Sequence, residues 1–160
     1  SVRSVMIDGR LVLDEGRLVQ CGDTAWIRRS PATLAAAAAT GPLSLVEMTV
    51  VADGRGFWLT REDPAGGELV RIRAWAPGLA AHAGSRVVVG IRPEHLVVAD
   101  RGSIPAIVER RIPPGTARCA VAGVALTATT SGAAVADGDA VRLRVDHLVV
   151  FDQLSGDAIT

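Results

Sequence analysis

Short apolar runs, separated by glycine, proline and acidic residues, recur along most of the chain. They are rich in β-branched valine, and one of them, Glu68–Trp75, alternates apolar positions with Arg71 and Arg73. Runs of this length and composition predict short β-strands. After residue 43 the runs follow one another at regular spacing, with Gly- and Pro-containing turns between them. This pattern predicts a small barrel or sandwich of many short strands.

The predicted strands of this region are β-branched or alternate in polarity, and they end at turn residues. Asp53-Gly54, between the first two strands, is typical of a tight hairpin turn. The strands are Leu45–Val51, Gly56–Thr60, Glu68–Trp75, Val87–Val89, Leu96–Val98, Ile104–Arg111, Thr116–Val121, Val124–Thr129, Ala140–Val145 and His147–Phe151.

The first part of the chain has a different pattern. Arg10–Leu13 and Arg17–Gln20 predict a β-hairpin around the loop Asp14-Glu15-Gly16. No earlier segment is long enough to predict a further strand, so we expect the hairpin to pack on the rest of the chain or on another domain. Thr24–Arg29, capped by Asp23 or Thr24, and the alanine-rich Thr33–Ala39 predict two short helices.

The most distinctive stretch joins the apolar runs Val87–Val89 and Leu96–Val98. Pro93 lacks an N–H group and keeps Arg92 out of the helical region, which predicts a sharp corner between two strands. Such a corner suits a chain that passes from one sheet layer to another. The corner motif consists of Gly90, Ile91, Arg92, Pro93, Glu94 and His95.

The charged pair Arg92 and Glu94 has two interpretations. It either recognises a partner or an anion, or it holds the corner through an internal ion pair or hydrogen bonds to loop carbonyls. We favour the second, because a bent strand leaves backbone groups that need partners. Beside such a corner we expect His95 to be structural rather than a pH-sensitive contact. Because the chain has few aromatic residues, we expect Trp58 and Trp75 to fill the core rather than form a binding platform.

A weak internal repeat accompanies the corner. Ser85–Val89 resembles Asp139–Leu143, and each is followed by a break and by the sequence His-Leu-Val-Val, starting at His95 and at His147. The repeat predicts two similar strand–corner–strand units in one β body.

Composition excludes several classes of function. The chain has 17 basic and 17 acidic residues, and every basic residue is Arg, so a nucleic-acid or membrane-surface partner is not expected. Without Lys there is no phosphate loop, and neither a metal-spaced His/Cys cluster nor a nucleophile motif occurs. We therefore expect no catalysis and no cofactor. Cys21 and Cys119 form no C-x-x-C pair, which favours a reducing compartment, and no apolar run has the length of a membrane span.

Gly90–Leu96 resembles the G-I-R-P-E-H-L signature in the C-terminal regulatory domain of maltose-type carbohydrate-importer ABC ATPases. Four other pieces, in the family's order, resemble the last hairpin of the ATPase domain, the connector, the first regulatory strand and the closing segment. The four pieces are Asp8–Gln20, Gly22–Ala32 with the alanine-rich helix after it, Leu43–Val50 and His147–Ile159. The family's phosphate loop, signature sequence, catalytic Glu and switch His have no counterpart in this sequence.

The resemblance implies two regions. Residues 1–42 are similar to the terminal hairpin of the ATPase domain and its helical connector. Residues 43–160 are similar to a regulatory barrel of the oligonucleotide/oligosaccharide-binding type, mainly β, with one or two short helices before it. The implied role is non-catalytic regulation and dimerisation within the ATP-binding subunit of an importer of sugars or glycerol phosphates. ATP and Mg would bind the ATPase domain, which these residues lack.

The implied partners are a second copy of the chain, the membrane-spanning importer subunits and a regulatory protein. The implied location is the cytoplasm, peripheral at the inner face of the cell membrane. An alternative from a related importer class is a sensor of a small ligand or oxyanion. Its weak candidate site is the small, polar stretch Ala128–Gly132.

Overall fold

The computed structural model describes residues 4–7, 11–14, 17–21, 24–67, 69–130 and 132–160. Within these ranges the chain is mainly β, with a three-stranded sheet, a five-stranded sheet and a closed five-stranded barrel. The predicted mainly β fold with a small barrel is confirmed. Strands β1 to β13 are, in order, Ser4–Ile7, Leu11–Asp14, Arg17–Cys21, Ser44–Ala52, Phe57–Arg61, Val70–Ala74, Arg86–Ile91, Leu96–Val98, Ile104–Ile112, Thr116–Val121, Val124–Thr129, Ala140–Val145 and Val149–Asp152.

The three-stranded sheet opens the chain. β2 and β3 pair antiparallel, as predicted for the hairpin, with a register shift between Val12 and Leu13. β1 pairs antiparallel with the other edge of β2, from Ser4 opposite Asp14 to Ile7 opposite Leu11. The expectation that no earlier strand supports the hairpin is therefore wrong, because four residues suffice once a paired edge is available. Residues 15 and 16, in the predicted loop, lie outside the described residues.

Two short helices follow, α1 (Thr24–Arg29) and α2 (Leu34–Ala39), and both agree with the prediction. Thr33 caps α2, since its Oγ1 accepts a hydrogen bond from the amide of Ala36 at 3.1 Å. Asp23, the other proposed cap of α1, lies outside the described residues. We call residues 24–42, from the start of α1 to the start of the barrel region, the connector.

The five-stranded sheet is antiparallel, in the order β13-β7-β4-β5-β6. Ala52 of β4 lies opposite Phe57 of β5, so residues 53–56 form the loop between them. The predicted two-residue turn at Asp53-Gly54 is wrong. Asp53 Oδ1 instead accepts a hydrogen bond from the amide of Arg55 at 2.9 Å, and this bond stabilises a wider turn.

The closed barrel has the order β10-β11-β8-β12-β9. It shares one apolar core with the five-stranded sheet, to which both bodies contribute buried residues such as Val89, Leu96 and Leu143. β9 and β10 pair antiparallel, and their register shifts between Arg118 and Cys119.

The chain passes between the sheet and the barrel twice. After β7 it turns through a short 3-10 turn, Pro93–His95, into β8 of the barrel, and after β12 it returns to the sheet as β13. β13 pairs antiparallel with β7, and β12 pairs antiparallel with β8. The two crossings therefore run side by side in opposite directions, and the two predicted strand–corner–strand units are confirmed.

The segment 156–160, which we call the strap, fastens the connector to this body. The amide of Leu34 donates to Gly156 O at 2.7 Å, and the amide of Ala158 donates to Ala32 O at 2.8 Å. The start of α2 and the segment just before it are therefore tied to the strap next to β13.

Candidate functional site

Arg92 of the corner motif is a buried charged residue, with 4% of its surface exposed. Its guanidinium donates five hydrogen bonds, at 2.8 to 3.2 Å, and every acceptor belongs to the connector. The acceptors are the carbonyl oxygens of Arg28, Ala37, Gly41 and Pro42 and the hydroxyl of Thr40. Arg92 therefore joins the barrel corner to the end of α2.

The chemistry of Arg92 matches this position. The last carbonyls of a helix have no partner inside the helix, and a cation at that end is favourable. A guanidinium supplies several N–H donors in a fixed plane, so one side chain can serve several carbonyls. Burial lowers the pKa of Arg92, and the nearby charge of Arg28 adds to this effect. A guanidinium nevertheless stays a cation in proteins near neutral pH. Of the alternatives for Arg92, hydrogen bonding to loop carbonyls is confirmed.

Glu94 pairs with Arg28 rather than with Arg92. Arg28 also donates to the carbonyl of Thr40 at 2.8 Å, so this ion pair lies at the surface above the Arg92 contacts. Partial burial opposes ionisation of Glu94, but its own backbone amide and Arg28 outweigh burial and hold its pKa below 4.5. The pair is a second, outer link between the corner and the connector.

The other motif residues shape the corner. A side chain on Gly90 would place its Cβ 3.1 Å from the ring of Phe151 and 3.2 Å from Leu43, so glycine leaves room for both. Ile91 is buried in the core between sheet and barrel. The carbonyl of Pro93 accepts a hydrogen bond from Thr129 Oγ1 at 2.8 Å, which anchors the corner to β11.

His95 and His147 bring the two crossings together. Their rings lie edge to face with centroids 5.3 Å apart. His147 Nε2 lies 3.0 Å from the carbonyl of Arg29, on the connector, whereas buried His95 Nδ1 has no hydrogen-bond partner among the described residues. His147 therefore contacts the connector directly, and His95 packs against His147.

The two tryptophans do not fill the core as expected. Trp75 is 74% exposed, and Trp58 lies half-buried on the outer face of the five-stranded sheet. Arg71 and Arg73 stack over the Trp58 ring at 4.4 and 4.8 Å, and Arg73 also stacks over Trp75 at 5.1 Å. Asp53 accepts hydrogen bonds from both Trp58 Nε1 and Arg73. The alternation that placed Arg71 and Arg73 on one face was the available signal for this surface.

The candidate anion site at Ala128–Gly132 has few free donors. The amide of Thr130 donates to Gly115 O at 2.9 Å, and Thr130 O accepts from the amide of Ala133 at 2.8 Å. Ser131 lies outside the described residues. The Thr130 amide, which an anion at this stretch would need, is therefore already engaged.

No protein-family model matches the sequence, and no curated protein matches it either. None of the helices in the described part of the chain has the length and apolar character needed to cross a bilayer. Within the described ranges, no group of three or more His, Cys, Asp or Glu side chains is placed to hold a metal ion.

Proposed function

We propose that this chain is the non-catalytic regulatory and dimerisation region of the ATP-binding subunit of a carbohydrate importer of the ABC type. In this proposal residues 1–42 carry the last hairpin of the ATPase domain and its connector, and residues 43–160 carry the regulatory barrel. The observation that carries it is the burial of Arg92, from the Gly90–Leu96 motif, among the connector carbonyls.

A buried arginine with these contacts makes a stiff joint. Moving the connector away from the corner would leave the buried Arg92 guanidinium without its hydrogen-bond acceptors, which costs several kcal/mol in typical proteins. The connector and barrel therefore move as one body. In the proposed subunit, the position of the barrel would follow the last hairpin of the ATPase domain, and contacts made by the barrel would act back on that domain.

The proposal places the subunit at the inner face of the cell membrane. Its partners would be a second copy of the subunit, the membrane-spanning importer subunits and a regulatory protein. ATP and Mg would bind the ATPase domain, and the residues of this chain would take no part in hydrolysis.

The test is to capture the native protein with an antibody against the barrel and to sequence its peptides by mass spectrometry. The proposal expects peptides from the same polypeptide that precede Ser1 and contain a phosphate loop and an ABC signature. A native polypeptide without these motifs would contradict it. Titration calorimetry with molybdate, sulfate and phosphate separates the alternative, because micromolar binding of one anion would favour an oxyanion sensor.

A further inference from the structure

The two edges of the five-stranded sheet are treated differently. At the β13 edge the strap covers the strand, with the amide of Ile159 donating to Val150 O and the amide of Asp152 donating to Asp157 O, both at 2.8 Å. At the other edge β6 pairs with β5, and no backbone hydrogen bond reaches its far side within the described part of the chain. An uncovered edge strand has free backbone donors and acceptors, and proteins usually protect such edges.

A cleft of about 770 Å³ runs along this uncovered edge. β6 and the residues after it form one wall, with Ile72, Ala74 and Trp75, and the strap and Leu148 form the opposite wall. One residue of an added strand occupies about 3.3 Å along the strand, about 4.8 Å across the sheet and about 10 Å in depth, or roughly 160 Å³. The cleft therefore has room for about five residues, and its β6 wall consists of Ile72, Arg73 and Ala74, with Trp75 and Ala76 after them.

The side chains of β6 define what would pair with it. Val70, Ile72 and Ala74 are buried on the inner face, and Arg71 and Arg73 lie on the outer face. Arg73 forms an ion pair with Asp53, whereas Arg71 has no carboxylate partner among the described residues. Because directly opposed side chains lie on the same face, a matching strand would place apolar residues inside and acidic residues outside.

A second copy of β6 does not fit this edge. We consider antiparallel pairing of β6 with a second copy of β6. Every register that keeps the apolar residues of both copies inside places an arginine of one copy directly or diagonally across from an arginine of the other. Like charges in that position destabilise a sheet. The remaining registers turn the apolar face of one copy outward, so the second copy loses its inner contacts.

We propose that the β6 edge binds an extended segment of another protein in which apolar and acidic residues alternate. The segment adds a strand to the sheet by main-chain hydrogen bonds, its acidic residues face Arg71 and Arg73, and its end contacts the exposed ring of Trp75. This inference goes beyond the proposed function and does not depend on it.

The test uses two synthetic peptides, acetyl-TEVEVET-amide and its lysine counterpart, at low salt with isotope-labelled chain. The acidic peptide is expected to bind at least roughly tenfold more tightly than the lysine peptide. Its amide shift changes should centre on residues 70–76 and extend to the opposite wall of the cleft, with slower amide exchange in β6 and a change in Trp75 fluorescence. Arg71→Glu with Arg73→Glu should reverse the preference between the peptides.

The matched control is Arg101→Glu with Arg110→Glu, which makes the same charge change at two exposed barrel positions. It should keep the preference for the acidic peptide. Arg71→Glu alone, which breaks no ion pair among the described residues, keeps the test valid if the double variant unfolds. Equal binding of both peptides, no shifts in residues 70–76, or protection of β6 that rises with chain concentration alone would overturn the proposal.

Discussion

The imidazole rings of His95 and His147 meet edge to face, with an angle of 78° between their planes. His95 precedes β8 and His147 comes just before β13, so the rings occupy equivalent places in two antiparallel crossings. The two histidines of the weak sequence repeat are therefore in contact in the folded chain. The contact lies beside the connector, since His147 Nε2 is 3.0 Å from the carbonyl of Arg29.

His95 gives the first prediction. Burial lowers the pKa of His95 below 6.5, Glu94 opposes this effect, and His147, Arg28 and Arg92 add to it. The unfolded chain then takes up a proton at a higher pH than the folded chain. The contribution of His95 to stability is therefore fully present above pH 6.5 and is lost as the pH falls through the pKa of His95 in the folded chain.

His95→Gln should remove that part of the acid sensitivity. The measurement is urea unfolding of both proteins at roughly pH 5 to 8, with an NMR titration of His95 as the direct check. The same loss of stability on the acid side in the variant and the parent would contradict the assignment.

His82 should show the opposite sign. Its Nε2 lies 3.0 Å from Asp152 Oδ2, and this hydrogen bond raises the pKa of His82 above 6.5. The contribution of His82 to stability is therefore fully present below pH 6.5 and is lost as the pH rises through the pKa of His82 in the folded chain. In Asp152→Asn the NMR pKa of His82 should fall back toward 6.5. An unchanged pKa of His82 in this variant would show that the hydrogen bond to Asp152 does not raise it.

Thr33 should contribute measurably through its cap of α2. Thr33→Ala removes the acceptor of the Ala36 amide and should cost about 1 kcal/mol in the free energy of unfolding. Thr33→Ser keeps the hydroxyl and should stay close to the parent in urea denaturation. A serine variant as unstable as the alanine variant would assign the effect to the methyl group instead of the cap.

Two glycines should differ in their tolerance of alanine. A Cβ at Gly102 would lie 2.5 Å from the backbone carbonyl of Leu143, which cannot move without the strand, whereas at Gly90 it meets the side chains of Phe151 and Leu43. Gly102→Ala should cost roughly 3 kcal/mol and Gly90→Ala roughly 1 kcal/mol. Thermal unfolding of the two variants gives the ranking, and the reverse order would contradict the packing described for the corner.

The strands and the corner could be predicted because their signals are local. Pro93 ends the apolar run where the chain turns, and Thr33 caps α2, which begins at the next residue. The acceptors of Arg92 were foreseen only as loop carbonyls. Which loop supplies them depends on contacts between residues far apart in sequence, and the same is true of the pairing of Glu94 with Arg28.

The predictions from sequence fail where contacts between distant residues determine the structure. An apolar ring such as Trp75 is usually buried, but here it follows the last residue of an edge strand and remains outside. The Asp53-Gly54 pair favours a tight turn, yet the register of Ala52 with Phe57 requires a longer one. The β6 cleft has no sequence signal, because its walls come from β6 and from the strap, which are far apart in sequence.

Arg92 fixes the connector to the barrel, and amide hydrogen exchange measures this attachment residue by residue. In Arg92→Leu the amides of residues 34–39 should exchange at least roughly tenfold faster than in the parent, while those of β9 and β10 stay protected. Glu94→Gln, which removes only the outer ion pair, should leave both regions near the parent. Unchanged exchange of residues 34–39 in Arg92→Leu, or an equal increase throughout the barrel, would contradict the account.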